Sequence, residues 1–166
     1  MHIGALLSEL HWTAGESMTA HEAALVGKAG EALVAAELLR RHIDVAYPAQ
    51  DGGIDLLAYR GNDLSRVIPI QVKGRTSTCY EFQRDWFRID GLVLVQVWYV
   101  TGTPEFYIFG SVGDVVEALG RQHSATQSWL AKGAYNVTNP NAEHLHRMRP
   151  HKDRWDRIAQ RLPERV

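Results

Sequence analysis

The chain has 166 residues, 45% hydrophobic and 22% charged, with a formal net charge of −1. That length and composition fit one domain with a substantial buried core and exclude a disordered chain. Near-neutrality excludes a globally basic nucleic-acid binder, so any contact with phosphate needs a local patch.

Charge is unevenly placed along the chain. Ahead of Arg40 the only lysine or arginine is Lys28, against five glutamates, whereas from His144 onward seven lysines and arginines face three acids. The single Cys79 excludes an internal disulfide and suits a reducing compartment. No apolar run approaches a membrane span, and the first residues lack the cationic start and apolar core of a signal peptide. The expected location is the cytoplasm.

Residues 1–18 hold a short apolar patch and the breaker-rich TAGES, and read as an N-terminal arm. Residues 19–166 read as a single domain. From Thr19, THEAALVGKAGEALVAAELLRRH predicts a long helix, with Thr19 as cap and basic residues at its end. Gly27 and Gly30 weaken helix propensity and are expected to let the helix lie close to a neighbour. IDVAYPA, GGIDLLAYR and VIPIQVKGR read as strands, with GND as the turn between the last two.

GLVLVQVWYV is a nearly continuous β-branched run of the kind buried on both faces, and PEFYIFG follows it as a strand after the turn TGTP. SVGDVVEAL and SATQSWLAK predict helices, AYNVT a weak strand, and KDRWDRIAQRL a basic C-terminal helix. The expected fold class is α/β, a central mixed β-sheet flanked by helices.

Alternate side chains of a strand share a face. In VIPIQVKG this puts Gln71 and Lys73 together, with Ile70 and Val72 turned to the other layer. In GIDLLAY, Ile54, Leu56 and Ala58 form one row and Asp55 stands in the other. Helical spacing places Glu31 on or beside the apolar, small-residue stripe of the first helix. An acid, an amide and an ammonium thus converge, and burying such groups is costly unless they are paired or bind a metal.

Glu31, Asp55 in GGIDLLA, and Gln71-Val72-Lys73 in IQVKG together resemble the PD-(D/E)XK phosphodiesterase superfamily. The variant is most similar to Mrr-like restriction endonucleases, in which Gln replaces an acid. The resemblance spans about residues 20–110 and implies a restriction-endonuclease-like core. It implies a metal-dependent endonuclease that hydrolyses DNA phosphodiester bonds, with Glu31, Asp55, Gln71 and Lys73 catalytic. Glu31, Asp55 and Gln71 would hold Mg²⁺, for which Mn²⁺ would substitute, and Lys73 would orient or help deprotonate the attacking water. The implied partner is double-stranded or branched DNA, with a homodimer left open. Two departures stand out: Pro48 does not directly precede an acid, and Gln71 is neutral. They keep alive a catalytically inactive module of the same fold that binds DNA or protein.

Each residue also has a plainer reading. Glu31 could pair with Lys28, Asp55 with Arg75, and Asp51 could replace Asp55 as ligand. Arg75, Arg60, Arg66, Lys152 and Arg154 are candidates for phosphate contacts, as are Arg84 and Arg88. The spacing of His144, His146 and His151 suits no standard zinc site. Trp86, Trp98 and Trp129 read as packing residues, and Trp155 is held open for a role on DNA.

Overall fold

The computed structural model describes residues 18–50, 52–137 and 139–164. The predicted N-terminal arm lies outside them except for Met18, as does Asp51. Helix α1, Ala20–Arg40, starts where the sequence places it. The Thr19 hydroxyl accepts from the Glu22 N–H at 3.2 Å, and the Glu22 carboxylate accepts from the Thr19 N–H at 2.7 Å. This reciprocal box satisfies two of the amide groups that a helix start leaves without partners.

Five strands form the central sheet: β1 (Asp44–Ala46), β2 (Leu56–Arg60), β3 (Asp63–Gly74), β5 (Val93–Trp98) and β6 (Glu105–Phe109). Their order is β1-β2-β3-β5-β6, antiparallel throughout except for the parallel pair of β3 with β5. The sheet is therefore mixed, as expected. A second, two-stranded sheet pairs β4 (Tyr80–Gln83) with β7 (Ala134–Val137). The sequence reading has no counterpart for β4, whose partner lies more than fifty residues away.

Helices α2 (Val112–Ser124), α3 (Gln127–Lys132), α4 (Ala142–Met148) and α5 (Asp156–Ala159) complete the chain. The long basic C-terminal helix is corrected to the four residues of α5. Asp153 takes a left-handed φ of 54° and breaks the run, and a single 3-10 turn, Arg149–His151, precedes it.

The two faces of the sheet carry different layers. Leu56, Ala58, Ile68, Ile70, Val72, Val93, Val95 and Val97 pack with Val34 and Leu38 of α1 and with Trp155, Ile158 and Leu162. On the other face Leu94, Trp98, Tyr107 and Phe109 pack with Tyr80 and Phe82 of β4 and with residues of α2, α3 and α4. Trp155 is thus a core residue beneath Arg41, 4.7 Å from its ring centroid, and not a platform for bases.

Helix α1 crosses β3 at backbone contact. A methyl group at Gly74 would come within 2.8 Å of the Val26 carbonyl, and one at Gly30 within 3.0 Å of Gly74 Cα. Gly30 therefore serves the close approach expected of it, whereas Gly27 faces open space.

Candidate functional site

Asp55 precedes β2 and continues its pairing in an unusual way. Its N–H donates to the Ile70 carbonyl at 2.9 Å, and its Oδ2 accepts from the Val72 N–H at 2.6 Å. The carboxylate stands where a strand carbonyl would accept, which ties Asp55 to the segment Gln71–Lys73. The register Leu56↔Ile70, carried one residue further, sets Asp55 opposite Gln71.

Gln71 and Lys73 lie on the face turned away from α1, opposite Leu94 and Gln96 of β5. Gln71 is 8% exposed, and its Oε1 is buried with no hydrogen-bond partner among the described residues. Leaving a buried acceptor unsatisfied costs about 1–3 kcal/mol, a cost that a ligand at that oxygen would relieve. Its Nε2 lies near Gly53, where an added methyl would be 3.9 Å away. Gly53 holds a φ of 88°, a conformation glycine adopts without strain. Gly52, Gly53, Gln71, Gln83, Asp85, Trp86, Arg88 and Ile89 line a cleft of about 440 Å³.

Lys73 is half-buried, with its Nζ 5.2 Å from the centroid of the Trp86 ring. Trp86 sits on the 3-10 turn Arg84–Phe87, which follows β4 directly. Beneath Lys73, Gln96 is held by donating to the Glu81 carbonyl at 2.6 Å and accepting from Trp98 Nε1 at 3.3 Å. Arg75 donates to the Glu81 carboxylate at 2.6 Å and to the Gly74 carbonyl at 3.0 Å. Burial works against the Arg75 charge, but hydrogen bonds and charges of Glu81 and Cys79 outweigh it, and its pKa is raised. Burial pushes the Cys79 thiol up.

Glu31 is 8% exposed, and both its oxygens accept from Lys28 Nζ at 2.9 Å. The plainer pairing of Glu31 with Lys28 is therefore present, whereas Arg75 pairs with Glu81. Glu31 comes to β3 from the α1 side, next to Gly30, where an added methyl would lie 3.7 Å from Val72 Cγ1. Asp55 thus holds the Val72 backbone, and Gly30, next to Glu31, meets the Val72 side chain from the α1 side, while Gln71 and Lys73 occupy the face of β3 turned away from α1.

The candidate phosphate contacts divide by position. Arg60 donates to the Pro163 carbonyl at 3.0 Å, and Arg66 is exposed on the outer half of β3, roughly 17 Å of strand from Gln71. Lys152 pairs with Glu105 at 2.7 Å and Arg154 with Asp156 at 2.8 Å. Lys152 bridges to Tyr107, which lies opposite Gln96 and so continues the row begun by Lys73. Sequence reasoning missed Gln96 and the placement of Trp86. A lone glutamine inside GLVLVQVWYV was the available signal for the first.

Among the described residues no three His, Cys, Asp or Glu side chains gather to hold a metal. No helix among them is long and apolar enough to cross a membrane. Comparison with family models, curated protein sequences and solved structures gave no match.

Proposed function

We propose that this chain is a metal-dependent endonuclease with a restriction-endonuclease-like core, hydrolysing DNA phosphodiester bonds at the end of β3. The observation that carries the reading is the convergence of Asp55, Gln71 and Lys73 at one end of the sheet, with the Gln71 Oε1 buried beside a cleft and unpartnered among the described residues. A carboxylate and an amide carbonyl are hard oxygen donors of the kind Mg²⁺ takes, and Mg²⁺ commonly keeps several positions for water and substrate phosphate.

Asp55 and Gln71 would hold the Mg²⁺, or Mn²⁺ in its place, with Glu31 completing the set once Lys28 releases it. The ion supplies charge neutralisation at the phosphate and lowers the pKa of bound water. In hydrolysis a water oxygen bonds to phosphorus, one P–O ester bond breaks, and the leaving oxygen takes up a proton. Lys73 sets positive charge beside the phosphate as negative charge develops there, and Asp55 fixes the backbone from which Gln71 and Lys73 project. The cleft would seat the scissile phosphate of double-stranded or branched DNA, and Arg88 on its rim, paired with Asp85 at 2.9 Å, would turn to a neighbouring backbone phosphate.

Purified protein with supercoiled plasmid and branched DNA, in Mg²⁺ or Mn²⁺, tests this directly. The wild type should cleave, and Asp55→Ala and Lys73→Ala should cleave far more slowly. Equal cleavage by all three would remove the site from the chemistry. A second reading, a non-catalytic DNA-binding module of the same fold, draws on the Lys28–Glu31 pair and the neutral Gln71. Salt-sensitive DNA binding without metal-dependent cleavage would favour it.

A further inference from the structure

Lys73 packs in a narrow gap, too small for a water molecule, with Arg75, Cys79, Glu81, Trp86 and Gln96. Glu81 is the carboxylate of that gap, and a partly buried lysine beside a carboxylate ordinarily spends its charge there, because attraction strengthens as water is excluded. Here Glu81 is already engaged. Its Oε2 takes the Arg75 guanidinium at 2.6 Å, and its Oε1 accepts from Gln83 Nε2 at 3.3 Å. Among the described residues, no carboxylate lies within ion-pairing distance of Lys73.

The ammonium rests over the Trp86 ring at 5.2 Å, an attraction that orients a cation without neutralising it. Trp86 also lines the cleft that contains Gln71, so its indole borders both the Lys73 side chain and the open cleft. It is itself seated against the second core together with Phe87. Arg75 is fixed just as firmly: its N–H donates to the Val97 carbonyl at 2.8 Å, and its carbonyl accepts from the Val100 N–H at 3.0 Å.

From this arrangement we infer that Trp86 and Arg75 are positioning residues that keep the Lys73 ammonium unneutralised beside the Gln71 cleft, within reach of a phosphate group bound there. The inference rests on the phosphodiesterase reading for the identity of the anion, though not for the arrangement around Lys73. Gln71 and Lys73, two residues apart on one strand face, start roughly 7 Å apart, so one phosphate can meet both side chains. Arg75 then acts through Glu81, and DNA need not touch it.

The test reads Lys73 directly. The protein has four lysines, Lys28, Lys73, Lys132 and Lys152. Reductive methylation with ¹³C-formaldehyde gives each one an NMR signal, and Lys73→Arg assigns that of Lys73. In the wild type the Lys73 signal should lie upfield of the other three through the Trp86 ring current, and should join them in Trp86→Leu. It should move in Arg75→Ala, where Glu81 is released to capture the ammonium, and return in the double variant Arg75→Ala/Glu81→Gln.

Plasmid cleavage should follow the same order. Arg75→Ala should lose about ten- to a hundredfold in kcat with little change in KM, Arg75→Ala/Glu81→Gln should recover most of it, and Trp86→Phe should outperform Trp86→Leu. A wild-type Lys73 signal that coincides with the other lysines overturns the inference. So does an Arg75→Ala loss that Glu81→Gln fails to restore, which would make Arg75 a direct DNA contact. The expected NMR pattern in a wild type that cleaves nothing supports the arrangement around Lys73 and overturns the endonuclease reading.

Discussion

Strand β3 separates two regions built on different terms. Toward α1 it presents Ile68, Ile70 and Val72, all buried among aliphatic side chains, and then Gly74, where helix and strand meet at backbone contact. Toward β4 and the Arg84–Phe87 turn it presents Gln71 and Lys73, next to Gln96 on β5. Burial on the first face stabilises at roughly 25 cal/mol per Å² of apolar surface. On the second, each buried polar group needs a partner, and the structure supplies one to Gln96 and Arg75 but none, among the described residues, to the Gln71 Oε1. One strand thus carries the stability of the fold on one side and its candidate chemistry on the other.

Substitutions should separate the two faces. Leu38→Ala, at a fully buried position against the sheet, should cost about 2–5 kcal/mol of unfolding free energy. DNA cleavage per folded molecule should stay near the wild-type level. Lys73→Ala should do the reverse, lowering cleavage by about 10²–10³-fold with a change of under ~1 kcal/mol in stability. Denaturant titration and plasmid nicking on both proteins check the pair, and a Lys73→Ala protein that unfolds as readily as Leu38→Ala would collapse the distinction. Gly74→Ala forces the helix off the strand, because the new methyl meets the Val26 carbonyl. It should cost about 1–3 kcal/mol and weaken cleavage as well, since α1 carries Glu31.

The smallest effect is that of pH near 6.5, and the two histidines that carry it pack on the second face. Burial lowers the His144 pKa, helped by the His123 ring stacked on it at 4.8 Å. Burial and then Arg157 lower that of His151, which stacks on Phe109 at 4.8 Å. Both are held neutral in the fold, while the unfolded chain binds protons on them near pH 6.5. Their contribution is therefore fully present above about pH 6.5 and is lost as pH falls below it toward the depressed native values. Thermal melts should show Tm falling on acidification through this window. A Tm that rises there would show that neither ring is held neutral.

Local signals carried much of the fold. Thr19 announced the start of α1, the apolar run from Val93 to Trp98 announced a strand buried on both faces, and strand alternation put Gln71 and Lys73 on one face. What stayed hidden depends on pairing between distant segments. Tyr80–Gln83 becomes a strand because Ala134–Val137 comes to lie beside it, and that placement in turn sets Trp86 over Lys73. The end of the chain misled for a local reason, since KDRWDRIAQRL has helical composition but breaks at Asp153. At the candidate site, Lys28 could be read as a partner for Glu31, but the Arg75–Glu81 pair beside Lys73 could not.

The most direct test of the central claim is a crystal structure of the protein soaked in Mn²⁺, read by its anomalous signal. One peak is expected within coordination distance of an Asp55 carboxylate oxygen and of the Gln71 Oε1, strengthened in Gln71→Glu. Manganese bound elsewhere, for instance among Asp44, Asp63 and Glu164 in the cleft at the far end of the sheet, with nothing at Asp55 and Gln71, would contradict it.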